Sequence, residues 1–135
     1  MNPIGAFYTT NCPGNTRIVF SEGPQGEKLV SQVSQYYPFG QAMLMKPEEG
    51  LVPRRASMEE FTRNRYLYNS KELQDDHGLN WYDYGARFYD PQIARWHVVD
   101  PLAENYYSIS PYAYVANNPL RNIDINGEWI PSQPL

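Results

Sequence analysis

The stretch from Trp81 to Pro101, WYDYGARFYDPQIARWHVVDP, decides how this chain folds. It combines closely spaced aromatic side chains with one glycine, two Asp-Pro steps and two arginines. Aromatic side chains suit half-buried sheet surfaces, whereas Asp-Pro steps and glycine favour turns. The stretch therefore predicts a hairpin-like unit, with a long strand from Leu79 to Asp90, a turn at Asp90-Pro91 and a return strand from Arg95 to Val99.

Alternation along the predicted long strand places Tyr82, Tyr84 and Phe88 on one face, because side chains two residues apart point the same way. We expect this face to be the buried one. Gly85 is predicted where a backbone or an aromatic ring approaches closely, since a glycine within a strand leaves that room. The predicted core consists largely of five aromatic side chains: Tyr82, Tyr84, Phe88, Trp96 and Tyr112.

The composition of the whole chain points to sheets and turns. Its 135 residues leave room for one modest domain, and a net charge of −4 gives no sign of a nucleic-acid partner. Twelve Tyr, twelve Pro and nine Gly favour half-buried sheets and turns over long helices. We therefore predict a mainly β fold, built from antiparallel hairpins with short helical turns.

The remaining segments complete this prediction. Thr16 to Ser21 and Glu27 to Tyr37 are predicted as a second hairpin, with the turn SEGPQG between them. Residues 41–56 contain Pro47, Gly50 and Pro53 and are predicted as a loop. A capping box at Ser57 predicts helical turns through Asn64, and Tyr66 to Leu73 is predicted as a strand.

The order of motifs along the chain resembles a known family. The segments GNTRIVF, QYYPFG, YLYNSKELQDDHGLNWYDYGARFYDPQIARWHVVDPLAE and SPYAYVANNPLRNID resemble the Rhs repeat-associated core, the end of YD-repeat proteins, in a Bacteroidetes-type version. The resemblance runs from Gly14 to Gly127. It predicts an N-terminal segment at residues 1–13, the core domain at residues 14–127 and a short tail at residues 128–135.

The resemblance implies a structural role. YD-repeat proteins build a β-sheet that spirals into a hollow shell, the core closes one end, and a variable C-terminal domain, often a toxin, is held inside. Their parent proteins are secreted or surface-exposed. This chain lacks the repeats that build the shell and has only eight residues after Gly127. We therefore expect a plug that packs against shell segments, a second copy of itself or a cognate protein.

The resemblance also implies a possible reaction, since many Rhs proteins cut themselves after the core by chemistry like that of aspartyl proteases. Asp100 and Asp124 lie at the matching positions. The chain departs from the family's motif, because Ala103, Ile125 and Glu128 replace a glycine, a proline and a leucine. The alternative is that both aspartates cap local turns, and we expect this simpler role and no enzymatic activity.

Other candidate residues give weaker indications. Asp75, Asp76 and His77 are adjacent on a predicted tight turn and cannot easily converge on one metal ion. His97 is expected to pack within a strand. Cys12 is the sole cysteine, so no disulfide and no cysteine-based zinc site can close within one chain.

The sequence contains no recognisable motif for cofactor binding or for membrane insertion. The chain shows neither a phosphate loop nor a Rossmann glycine pattern, so no cofactor is expected. We find no apolar run of membrane-spanning length, we expect no signal peptide, and we leave the cellular location undecided. Arg87 and Arg95 are expected to make cation–π contacts with tyrosines. Exposed rows of aromatic side chains leave a carbohydrate-binding surface as a further alternative, and a secreted effector that acts through its surface is another.

Overall fold

The computed structural model describes residues 7–11, 14–23, 25–45 and 64–128, and the statements that follow concern these residues. They form two antiparallel four-stranded sheets joined by turns and by short 3-10 segments, which confirms the predicted mainly β class. The chain divides into two compact units, one of Met1–Tyr36 with Ala42–Ser70 and one of Tyr37–Gln41 with Lys71–Leu135. Each sheet belongs to one unit.

The sheet of the first unit has the strand order of the sequence. The predicted second hairpin is confirmed, and its turn is closed by the Gly23 N–H, which donates to the Glu27 carbonyl at 2.7 Å. Bulges interrupt the ladders at Thr9/Thr10 and Val19/Phe20. The four strands are β1 (Phe7–Asn11), β2 (Asn15–Glu22), β3 (Lys28–Tyr36) and β4 (Ala42–Met45).

Strand β4 corrects the loop predicted for residues 41–56. The run AMLM pairs with β3, from Tyr36 opposite Ala42 to Val33 opposite Met45. The prolines and the glycine that indicated a loop all come after this run, so they do not interrupt the ladder. The rest of that loop and most of the helical turns predicted from Ser57 lie outside the described residues.

The strand predicted from Tyr66 to Leu73 is also wrong. Tyr68–Ser70 forms a 3-10 turn in which Asn69 has a φ of 51°. Asparagine tolerates this left-handed conformation, and the Asn69 N–H donates to the side-chain oxygen of Asn15 at 2.8 Å. Leu67 and Tyr68 are buried in the first unit, where the Thr16 N–H donates to the Leu67 carbonyl.

The sheet of the second unit is built from very short strands. They are β5 (Glu72–Gln74), β6 (Trp81–Asp83), β7 (Phe88–Asp90) and β8 (Arg95–Trp96). The predicted strand from Leu79 to Asp90 is therefore wrong. It is a hairpin, with β6 and β7 joined by a turn in which the Tyr84 N–H donates to the Arg87 carbonyl at 3.1 Å.

Gly85 explains why the chain turns here. Its φ of +95° is readily adopted only by glycine, and its N–H donates to the Asp83 carboxylate at 2.8 Å. A Cβ at this position would meet nothing nearer than the Asn126 carbonyl at 3.7 Å, an ordinary contact. Gly85 is thus needed for its backbone conformation, and the close approach predicted for it is wrong.

The hairpin changes which aromatic side chains form the core. Tyr82 lies opposite Tyr89 across the β6–β7 ladder, so Tyr89 shares its buried face and Phe88 points away. Phe88 is 45% exposed and Tyr112 is 42% exposed, so their predicted places in the core are wrong. Tyr82, Tyr84 and Trp96 are buried, and Tyr114 takes the place predicted for Tyr112.

Four of these rings form what we call the aromatic cluster: Tyr84, Tyr89, Trp96 and Tyr114. Tyr89 stacks on Tyr114 with ring centroids 4.0 Å apart, while Tyr84 meets Trp96 edge to face at 5.1 Å. The hydroxyls of Tyr84 and Tyr114 are hydrogen-bonded at 2.9 Å. Both ring arrangements are favourable, and the hydroxyl pair satisfies two polar groups inside the core.

Two tyrosine hydroxyls tie the turn at Tyr37–Gln41 to this core. Tyr82 donates to the Gly40 carbonyl at 3.1 Å, and Tyr89 donates to the Phe39 carbonyl at 2.7 Å. A buried tyrosine supplies apolar area and a donor at the same time. Tyr82 and Tyr89 therefore contribute hydrogen bonds as well as packing.

Candidate functional site

The C-terminal loop, residues 124–127, is folded around the carboxylate of Asp124. Asp124 Oδ1 accepts the N–H groups of Asn126 at 3.1 Å and Gly127 at 2.6 Å. The Ala86 N–H, from the β6–β7 turn, donates to the Asn126 carbonyl at 3.1 Å. This is the turn-capping role expected for Asp124, and it attaches the loop to the β6–β7 hairpin.

Asp100 caps a turn in the same way. Its Oδ1 accepts the Leu102 N–H at 2.8 Å, and its carbonyl accepts the Ala103 N–H at 3.0 Å. Its own N–H donates to the Pro111 carbonyl at 3.1 Å. One carboxylate oxygen is thus used locally, which leaves Oδ2 to face the interior.

Arg87 connects the two aspartates. Its Nη2 lies 2.7 Å from Asp100 Oδ2 and 3.6 Å from Asp124 Oδ2, and all three side chains are buried. Its Nε donates to the Gly127 carbonyl at 2.6 Å, and its Cζ lies 4.1 Å from the ring centroid of Trp96. We call Arg87, Asp100 and Asp124 the charge cluster. Buried charges persist only when paired and hydrogen-bonded in this way.

The charge cluster has one cation for two carboxylates. Burial raises the pKa of Asp124 above its ordinary value, although the Gly127 N–H and Arg87 act in the opposite direction. Burial likewise lowers the pKa of Arg87, and Asp100 opposes that shift. Among the described residues, Asp124 Oδ2 has no hydrogen-bond partner. With both carboxylates ionised, the charge cluster carries one net negative charge.

The charge cluster binds the two peptide groups that flank Gly127. Arg87 binds the carbonyl oxygen of Gly127, while Asp124 binds the N–H of the same residue. Two carboxylates that hold one proton between them, next to a polarised carbonyl, have the groups needed for general acid–base hydrolysis. The same contacts are also sufficient to hold the C-terminal loop in place.

A shallow cleft leads to Asp100. It has room for little more than one water molecule, about 10 Å³, and its lining includes Tyr106, Ile109, Ser110 and Pro111. Burial, and then the negative charges of Asp100 and Asp124, raise the pKa of Tyr106, so its hydroxyl keeps its proton at neutral pH. The cleft is too small for a drug-sized ligand, which needs roughly 300 Å³ or more.

The sequence paired Asp100 with Asp124, and the structure brings both to one guanidinium. The sequence does not mark Arg87 as a member of the site, and the contact predicted for it is a cation–π contact with tyrosine. Its aromatic partner is Trp96. The position of Arg87, just after Gly85 and between Tyr84 and Phe88, is the feature of the sequence that could indicate a buried charge.

The two histidines lie away from this site. The His97 ring lies 3.9 Å from that of Trp81, and its Nε2 is 3.4 Å from Asp90 Oδ2. His77 is exposed on the 3-10 turn Asp76–Gly78. Within the described ranges, no group of three or more His, Cys, Asp or Glu could hold a metal ion, and no helix is long and apolar enough to span a membrane. Cys12 lies outside those ranges.

We compared the sequence of this chain with protein families and with curated proteins. No protein-family model matches the chain. Salivary gland surface protein 1 of Aedes aegypti is 33% identical over 115 residues, which are 85% of this chain and 3% of that protein. The chain therefore spans a very small part of the curated relative it matches.

Solved structures match over nearly the whole chain. The crystal structure of TcdB2-TccC3 without its hypervariable C-terminal region matches with a TM-score of 0.64 and 24% identity, over 90% of this chain and 5% of that one. The Tc holotoxin pore of Photorhabdus luminescens, with a mutation in TccC3, matches with a TM-score of 0.65 and 23% identity, over 91% and 5%. These likenesses support an Rhs-related fold.

Proposed function

We propose that this chain is a structural module of an Rhs (YD-repeat) protein of the Bacteroidetes type, which packs against a larger shell and has no catalysis of its own. The fold it shares with small segments of much longer Tc toxin chains supports this proposal. We further propose that its partners are other segments of such a shell or a cognate protein. The location would be that of the parent family, secreted or at the cell surface.

The observation that carries the proposal is how the charge cluster is used. Arg87 binds the Gly127 carbonyl, Asp124 binds the Gly127 N–H, and Asp100 caps its own turn. Besides the ion pairs between them, each of the three side chains thus makes at least one hydrogen bond to the chain's own backbone. Together with the aromatic cluster, these side chains fix the C-terminal loop to the β6–β7 hairpin. This is the arrangement expected of a structural module.

An exchange experiment tests this proposal. The matching 5% of the TcdB2-TccC3 chain would be replaced by this chain, and the solution mass of the purified product compared with the original. We expect an assembled particle of matching mass. The same exchange with Tyr84→Ala should fail to assemble, while the matched control Phe88→Ala, at an exposed position, should assemble. Failure of the unmutated exchange would count against the structural role.

A second function, self-cleavage after Gly127, is favoured by one specific contact. The Arg87 guanidinium donates to the carbonyl oxygen of the Gly127–Glu128 peptide at 2.6 Å, where an oxyanion would form. Water would add to that carbonyl carbon with one carboxylate as base. The C–N bond would then break as the Glu128 nitrogen takes the proton from the other carboxylate. Glu128, at the position of the family's leucine, adds a further acid beside the reacting bond.

Intact-mass measurement distinguishes the two functions. The structural module should stay at 15.7 kDa during prolonged incubation. Self-cleavage would instead remove residues 128–135, and Asp124→Asn should abolish that loss. A stable mass in the wild type excludes the second function and leaves the first standing.

A further inference from the structure

Asn126 and Gly127 form the chain's single Asn-Gly pair, and Asn126 is exposed at the tip of the C-terminal loop. In an Asn-Gly pair the backbone nitrogen of glycine can attack the asparagine side-chain carbon Cγ, because no glycine side chain blocks the approach. The product is a five-membered succinimide. The question is whether this loop assists or hinders that attack.

Three hydrogen bonds of the loop match the needs of this reaction. Asp124 Oδ1 accepts the Gly127 N–H at 2.6 Å, so a base already contacts the proton that the attacking nitrogen must lose. The Glu128 N–H donates to Asn126 Oδ1 at 3.2 Å, where negative charge develops. Asn126 Nδ2, which departs as ammonia, donates to Glu128 Oε2 at 3.3 Å.

The backbone of the pair is held in place. The Asn126 carbonyl accepts the Ala86 N–H, and Gly127 has a φ of +81°. A Cβ at residue 127 would lie 3.0 Å from the backbone nitrogen of Arg87. The fold therefore favours glycine here, and glycine is also the residue that allows the reaction. Groups held in position lose less entropy on reacting than groups that must first find each other.

We propose that the C-terminal loop is a self-modification site, at which Asn126 cyclises onto Gly127 N and then opens to aspartate or isoaspartate. The Gly127 N–Cγ bond forms, the Cγ–Nδ2 bond breaks, and the proton passes through Asp124 to the departing ammonia. Water then opens the ring at either carbonyl. No oxidant, reductant or cofactor takes part.

The product alters the loop in two ways. A new carboxylate stands beside Glu128, near a charge cluster that already has more acids than bases. Isoaspartate also adds one methylene to the backbone between Asp124 and Gly127, which lengthens the segment that Ala86 and Arg87 hold. The modification should therefore loosen the C-terminal loop from the β6–β7 hairpin.

Peptide mapping by mass spectrometry tests the proposal. The purified chain would be incubated at neutral pH in its folded state and, in parallel, in concentrated urea. We expect Asn126 to react at least roughly tenfold faster in the folded chain, because a base and an oxyanion donor are already placed there. A folded rate equal to or below the denatured rate would overturn the proposal.

Variants identify the groups that act. Asp124→Asn retains a side-chain oxygen that accepts the Gly127 N–H but cannot take up its proton, so it should remove the advantage of the folded chain. If that variant does not fold, Glu128→Ala, at a partly exposed position, should reduce the folded rate and leave the denatured rate almost unchanged. Unchanged folded rates would contradict the assigned roles. The product keeps residues 128–135, which separates it from self-cleavage.

Discussion

The two sheets of this chain are stabilised differently. In the first unit, strands of up to nine residues form long ladders, and the more buried face of β3 carries Gln32 and Ser34. In the second unit, strands of two or three residues surround the aromatic cluster and the charge cluster. Backbone hydrogen bonds therefore stabilise most of the first sheet, whereas side-chain contacts stabilise most of the second.

This difference predicts where single substitutions act. A side chain removed from the first sheet leaves its ladder intact, whereas a side chain removed from the second takes away contacts that short strands cannot replace. Thermal or urea unfolding of point variants can measure this contrast directly.

The largest effect is expected for Tyr84→Ala. Tyr84 touches three other rings of the aromatic cluster and shares a hydroxyl hydrogen bond with Tyr114, so we expect a loss of about 5 kcal/mol in unfolding free energy. Phe88→Ala, the exposed control, should cost less than about 1 kcal/mol. Equal midpoints in urea for the two variants would refute the assignment of the core.

Arg87→Ala should cost slightly less, about 4 kcal/mol, because it leaves two buried aspartates without their cation. Arg95→Ala is the control, since Arg95 Nη1 binds the Asn117 side chain and the Ala94 carbonyl and the residue is partly exposed. Urea unfolding of both variants checks this. A variant at Arg87 as stable as the wild type would mean that the charge cluster does not hold the fold.

In the first unit, Val19→Ala should cost about 2 kcal/mol, the value of the buried methyl groups it removes. The β2 ladder stays intact, because alanine keeps the backbone hydrogen bonds. Val30→Ala, at a half-buried position of β3, should cost less. If Val19→Ala destabilises the chain as much as Tyr84→Ala, the proposed difference between the sheets is wrong.

The smallest effect is a dependence on pH. Because the pKa of Asp124 is raised in the folded chain, its contribution is complete at acidic pH below the ordinary value of 3.8 and is lost as pH rises through the folded value. The wild type should therefore lose stability relative to Asp124→Asn on going from acidic to neutral pH. Melting temperatures of the pair across this range measure it, and an opposite slope would show that Arg87 outweighs burial.

The regular hairpin was predictable and the irregular one was not, for a physical reason. Alternation assigns faces along β2 and β3 because each strand is long enough to show its period. Between Trp81 and Asp90 the same period continues across a turn, so it places Phe88 in the core instead of Tyr89. A turn of four residues that begins at Tyr84 resets the alternation, and only Gly85 signals it.

The candidate site could likewise be predicted only in part from the sequence. Asp100 and Asp124 could be paired from the sequence, because a family motif marks both positions. Arg87, which joins them, carries no such mark, and its burial follows from the packing of Trp96 and the position of the C-terminal loop. Contacts between residues far apart in the chain, such as Arg87 and Gly127 at 40 positions, depend on the fold as a whole and are not visible in local patterns.

Hydrogen exchange of two backbone amides tests the central claim that the charge cluster holds the C-terminal loop to the hairpin. The Ala86 N–H donates to the Asn126 carbonyl, and the Gly127 N–H donates to Asp124 Oδ1. The account predicts that both amides are protected as strongly as that of Tyr84, which closes the β6–β7 turn. Exchange of Ala86 and Gly127 at unprotected rates, with Tyr84 still protected, would contradict it.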